Sequence, residues 1–127
     1  MDTMANQFQV VRSNILKVTF EGEQDANTIQ FAIDQVKQTI TKLRSEQKKV
    51  YLLIDLLNLG LTHTSARNVG MNLLRELDYD KTAIFGKDLY TKYLVNFIIQ
   101  ASGKADVIKY CNSEQEALDY LQSTNHD

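Results

Sequence analysis

The run Val50, Tyr51, Leu52, Leu53, Ile54, Asp55 decides the fold. It is an unbroken apolar stretch of strand length, closed by a carboxylate. Such a stretch describes a β-strand covered on both faces, the kind found in parallel sheets flanked by helices. Upstream, Ile29, Ile33, Val36, Ile40 and Leu43 fall at steps of three and four, one face of a helix that Asp25 or Asn27 can cap. Earlier still, Phe8 to Arg12 and Ile15 to Phe20 are β-rich runs separated by Ser13 and Asn14. That pair suits a two-residue hairpin turn with asparagine at positive φ, and Glu21 to Glu23 ends the second strand. Downstream, a helix is expected from about Thr64, with Ala66, Val69, Leu73 and Leu77 inward. Thr82 to Phe85 reads as a short buried strand closed by Gly86, and Asp88 caps a helix running to about Ala101. Val107 to Cys111 is the next strand. Ser113 and Glu116 form a capping box that opens a last helix with Ala117, Leu118 and Leu121 inward. The order β-β-α-β-α-β-α-β-α predicts an α/β fold: a mixed, mainly parallel sheet with an N-terminal β-hairpin and four helices.

The length of 127 residues suits one domain over 1–127, with an ordered core of about 8–122 and loose polar ends at Met1 to Asn6 and Ser123 to Asp127. A 43% hydrophobic composition excludes a disordered polymer. Fourteen basic against sixteen acidic residues leave a net charge of -2, which argues against sequence-blind binding to nucleic acid. Met1 to Gln9 lack the pattern of a secretory signal, and no apolar run approaches the roughly 20 residues of a membrane span. The single cysteine, Cys111, excludes an internal disulfide and suits a reducing compartment, so a cytoplasmic protein is expected.

The residues from Val50 to Leu56, the run Lys81, Thr82, Ala83, Ile84, Phe85 and Gly86, the strand Val107 to Cys111, and the helix with Glu116, Ala117, Leu118, Tyr120 and Leu121 carry a resemblance. Over Val10 to Leu121 the chain resembles the STAS domain of bacterial anti-sigma-factor antagonists. More narrowly, it resembles the SpoIIAA-like (STAS/SEC14) group of small stand-alone proteins. The resemblance implies a non-catalytic regulatory module that binds a protein partner. In the antagonists the loop after the third-strand aspartate reads roughly Asp-Ser-Ser-Gly, and a partner kinase phosphorylates its central serine. The corresponding loop here is His63, Thr64, Ser65 and Ala66. The resemblance therefore implies Thr64 as phospho-acceptor with Ser65 beside it; His63 replaces the acidic residue and Ala66 the glycine.

On its own physics, a loop from Thr62 to Arg67 that leaves a buried parallel strand and enters a helix lies where α/β sheets bind ligands. Free backbone N–H groups there favour an anion, and Arg67 can add a bidentate contact. The plain alternative is that Thr64 or Ser65 is only the helix cap. His63, Asp55 and Cys111 are too scattered in sequence to announce a nucleophilic site. His126 lies in the tail, so metal-ligand spacing is absent, and neither an enzyme nor a cofactor is expected. The third helix is unusual. Tyr90, Tyr93, Leu94, Phe97, Ile98 and Ala101 form the expected core stripe, and Leu89, Val95 and Ile99 add flanking apolar surface. That surplus suits a twin subunit, an apolar ligand or cover by the chain itself; a symmetric homodimer is the default if it is an interface. The SEC14 side of the resemblance implies a lipid-like ligand among the tyrosines. Lys42, Arg44, Lys48 and Lys49 near the end of the first helix read as a solvated face.

Overall fold

A computed structural model describes residues 6–123. His126 and the end residues 1–5 and 124–127 lie outside the described residues. Asn6, expected to be loose, is tied down: its side chain donates to Gln24 Oε1 at 3.1 Å and accepts from the Glu21 backbone at 2.9 Å.

The chain runs β1 (Gln7–Val11), β2 (Ile15–Thr19), β3 (Gly22–Gln24), α1 (Ala26–Ser45), β4 (Tyr51–Asp55), β5 (Leu59–Thr62), α2 (Thr64–Glu76), β6 (Lys81–Phe85), α3 (Leu89–Ser102), β7 (Ile108–Cys111) and α4 (Glu114–Gln122). The main sheet has the order β1-β2-β4-β6-β7, with β1 antiparallel to β2 and every other pair parallel. The decisive run is thus its central strand. Leu52 and Leu53 point to opposite faces and are 1% and 0% exposed, as an apolar strand between two helical layers requires. Leu52 and Ile54 join the core under α1, α2 and α3, whereas Leu53 joins Ile15, Ala83, Phe85 and Cys111 under α4.

Helix starts follow the local chemistry. Asp25 caps α1 by accepting from the Thr28 N–H at 3.0 Å while Thr28 Oγ1 accepts from the Asp25 N–H at 3.0 Å. Asp88 accepts from the Thr91 N–H at 2.8 Å, and Gly103, at φ 79°, ends α3 in the left-handed conformation. Ser113 accepts from the Glu116 N–H at 3.1 Å, but Glu116 reaches back to the Asn112 N–H at 2.7 Å, one residue earlier than a strict box.

The structure corrects four expectations. The hairpin loop has three residues, because Val11 pairs with Ile15; Arg12 and Ser13 take the positive φ, while the Asn14 side chain donates to the Lys49 carbonyl at 3.0 Å. The stretch at Glu21 to Glu23 does not end a strand. It becomes β3, which pairs in parallel with β5 as a second, two-stranded sheet. Gly60 makes this pairing fit, since a Cβ there would lie 2.9 Å from the Gly22 carbonyl carbon. Arg44 is not part of a solvated face, because it holds Asp80 at 3.0 Å and Asp78 at 3.2 Å. In α3 the two apolar stripes are exchanged. Val95 and Ile99 are buried at 4% each, and Tyr90, Tyr93 and Phe97 are exposed at 58%, 67% and 70%.

Candidate functional site

The site forms where the chain leaves the end of β4. Asp55 Oδ1 accepts from the Leu57 N–H at 2.9 Å and turns the backbone towards β5. The carboxylate belongs to the α4 side, where Lys17 Nζ lies 3.8 Å from Asp55 and 2.9 Å from Glu114. The loop at Thr62 to Arg67 does not leave the buried strand β4, as the sequence suggests, because β5 intervenes; it leaves β5, and the pairing of β5 with β3 fixes the approach to α2. The His63 N–H donates to the Gln24 carbonyl at 3.1 Å, and His63 Nε2 meets Glu23 Oε2 at 2.6 Å. Gln24 is itself buried, with its amide bonded to Asn6 and to the Glu21 carbonyl. An exposed histidine is thus held in place by a short strand that the sequence pattern does not reveal.

His63 occupies the N-cap position of α2, and no side chain bonds the helix start. Thr64 and Ser65, the first two helical residues, are therefore exposed hydroxyls at an uncapped positive dipole end and not caps. Arg67, one turn further on, is turned towards α3, where Nη2 donates to the Tyr90 hydroxyl at 3.0 Å. The structure thus brings Thr64, Ser65, Arg67 and Tyr90 onto neighbouring surfaces of α2 and α3. It does not assemble His63, Asp55 and Cys111. Asp55 and Cys111 face α4, and burial pushes the Cys111 thiol up to about 11, far from a reactive thiolate. Among the described residues no group of three His, Cys, Asp or Glu is placed to hold a metal.

The residues expected to form one apolar interface on α3 divide into three roles. Tyr90, Tyr93 and Phe97 stand on the outer face beside exposed Leu89. Leu94, Val95 and Ile98 line a cavity of about 90 Å³ beneath α2, whose floor includes Ile54 and Ile84 of the main sheet. Ile99 belongs to the core alone. Gly70 and Arg67 of α2 also line the cavity, and a Cβ on Gly70 would meet nothing within 4 Å. Sequence reasoning passed over Gly70. A glycine inside a helix costs about 1 kcal/mol relative to alanine, which is a signal that the site has another use for the space.

No family model matches the chain, and no curated protein matches it. Solved structures do. The unphosphorylated anti-sigma factor antagonist SpoIIAA is 16% identical with a TM-score of 0.61, over 94% of this chain and 99% of that one. An uncharacterized DUF3478-family protein with a SpoIIAA-like fold from Shewanella loihica PV-4 is 15% identical with a TM-score of 0.66, over 95% and 98%. The phosphorylated form of the Bacillus cell fate determinant SpoIIAA is 17% identical with a TM-score of 0.56, over 93% and 100%. The interior strand β4, the mixed sheet and these likenesses agree, and the chain has the SpoIIAA-like fold.

Proposed function

We propose that this chain is a non-catalytic regulatory module of the STAS type, one domain over 1–127 with an ordered core of about 8–122, that binds a protein partner through the start of α2 and the outer face of α3. The observation that carries the reading is the adjacency of two exposed hydroxyls, Thr64 and Ser65, to an exposed aromatic row. Arg67 and Tyr90 join the two surfaces. Aromatic side chains supply large contact area at low entropic cost, so they suit an interface. A phosphate on Thr64 would be stabilised by the uncapped N–H groups of α2 and would place a hydrated dianion at the rim of that interface. The likeness to SpoIIAA, solved in phosphorylated and unphosphorylated forms, supports control by phosphorylation. The dispersal of His63, Asp55 and Cys111 supports a function without catalysis. The lone, buried Cys111 suits the reducing cytoplasm.

The test is capture of a partner on immobilised protein. Thr64→Asp should lower the amount captured at least tenfold, whereas Thr64→Val should capture as the unsubstituted chain does. Equal capture by Thr64→Asp and Ser65→Asp would remove the loop from the account. A second copy of the chain is the competing occupant of the aromatic face, and sedimentation of the purified protein as a dimer would identify it.

A second reading, favoured by the cavity beneath α2, is a small binding protein for an apolar ligand. Its lining is mainly apolar, with Gln24, Thr62 and Arg67 the polar residues among it. Concave, mainly apolar surfaces of this kind are where small apolar ligands bind.

A further inference from the structure

The two edges of the main sheet are built differently. At one edge, β7 has four residues and carries the exposed Lys109. At the other, β1 pairs only with β2 among the described residues, so its outer side presents unpaired N–H and C=O groups. Sheet edges are ordinarily guarded by a charge, a proline or a bulge. Gln7–Val11 has none of these: it reads Gln, Phe, Gln, Val, Val, and it pairs with β2 in unbroken register. Open apolar surface lies beside the open backbone. Phe8 packs on the core at the α1 side of the sheet, and alternation puts Val10 on the same face. Val10 is 45% exposed, and Phe31 of α1, exposed at 58%, meets the Phe8 ring edge-on with centroids 6.4 Å apart. Asn27 and Gln35, one helical turn either side of Phe31, are uncharged.

We infer that β1 pairs antiparallel with β1 of a second copy of this chain across a two-fold axis at Gln9, joining the two five-stranded sheets edge to edge. The strand is complementary to its own image. With Gln9 of one copy opposite Gln9 of the other, each Phe8 lies opposite a Val10 on the α1 face, and an aromatic side chain against a β-branched one is a favourable cross-strand pair. Continued by one residue, the pairing sets Arg12 of each copy opposite Asn6 of the other. Asn6 is bonded to the Glu21 backbone, so the cation meets the acidic stretch of Glu21 and Glu23, and no like charges face each other along the seam. A strand of another protein gains the backbone bonds without this matching, which favours the second copy. A contact of this symmetry closes at two copies. A five-residue seam is small beside the roughly 1,600 Å² of a standard interface, so the dimer is weak and concentration-dependent. Since α3 packs on β7 at the far edge, the pairing leaves both α3 faces free and does not depend on the partner site proposed there.

The experiment is sedimentation equilibrium of the whole chain over a dilution series. The unsubstituted chain should show a reversible monomer–dimer equilibrium. Dimerisation by itself does not tell this edge from the aromatic face of α3; substitutions do. Gln9→Glu should raise the dissociation constant at least tenfold, because two carboxylates then meet at the axis. Within one protomer the new carboxylate lies opposite Lys17, so the monomer keeps its fold. Gln9→Lys should weaken the dimer likewise, and an equimolar mixture of the two variants should restore it. Phe97→Glu, on the outer face of α3, should leave it unchanged. A chain that stays monomeric to about 1 mM would overturn the inference. So would a dimer that Phe97→Glu abolishes and Gln9→Glu leaves intact, which would assign the contact to α3. Loss in both Gln9 variants without recovery in their mixture would overturn the two-fold pairing at Gln9.

Discussion

Single residues show how chemistry is assigned by position more than by type. Cys111 and His63 are the side chains that an enzyme would use, yet Cys111 is buried under α4 and His63 is held against Glu23. The Cys111 thiol is 1% exposed and is pushed up to about 11 by burial. Tyr79, whose hydroxyl donates to the Leu74 carbonyl inside the core, is likewise pushed up by burial, to about 12. Both groups are neutral in the fold, and both hold their protons more tightly there than in the unfolded chain. Their contribution to stability is therefore complete below pH 9.0, the ordinary value for the thiol. It is lost as the pH rises through about 11 for Cys111, and from 10.0 through about 12 for Tyr79. Urea unfolding midpoints should hold steady from pH 7 to about 9 and then fall, and Cys111→Ala should flatten the first part of that fall. A thiol reagent at pH 8 should label the native chain far more slowly than the chain in urea; equal rates would place Cys111 at the surface.

At the scale of elements, the helices and main strands were legible and the phase of α3 was not. In α1 the inward residues are the only large apolar ones apart from Phe31, so the period of three and four has a single solution. In α3 apolar residues occupy Leu89, Tyr90, Tyr93 to Val95, Phe97 to Ile99 and Ala101, which satisfies two phases at once. The buried phase is completed by Thr91 and Ser102, small polar residues that mask it; Ser102 Oγ satisfies itself on the Ile99 carbonyl at 2.7 Å. Alanine substitutions separate the faces. Ile99→Ala should cost about 2–5 kcal/mol, as buried large-to-small changes do. Tyr93→Ala and Phe97→Ala should change unfolding free energy by less than about 0.5 kcal/mol while reducing partner capture. The strands β3 and β5 escaped notice because each is very short, carries a glycine, and pairs only with the other. Their pairing depends on the close approach of Gly60 to Gly22. Gly60→Ala should therefore destabilise by about 1–3 kcal/mol in urea titrations, with the His63 ring resonances shifting as its contact with Glu23 is disturbed.

Over the whole molecule, the order of elements along the chain and the burial of the run at Val50 to Asp55 were enough to give the sheet and its likeness. The candidate site was legible only in part. Thr64, Ser65 and Arg67 were singled out on the expectation that their loop ends a central parallel strand, where ligands gather, but the loop follows β5 of the small second sheet. The link from Arg67 to Tyr90 and the cavity beside Gly70 join residues far apart in sequence, and no periodicity within one element records such a meeting. Among the described residues no helix is long and apolar enough to cross a membrane. The exposed aromatic row on α3 is the group of three large apolar side chains that one helix face leaves uncovered, and the Arg67–Tyr90 bond links it to the helix that carries Thr64 and Ser65.

The most direct measurement is hydrogen exchange of the chain, alone and with its captured partner bound. The account predicts slowed exchange over 61–68 and 89–101 and unchanged exchange in α4 and along β1. Protection confined to α4 or β1, with the start of α2 and the face of α3 exchanging as in the free chain, would contradict it.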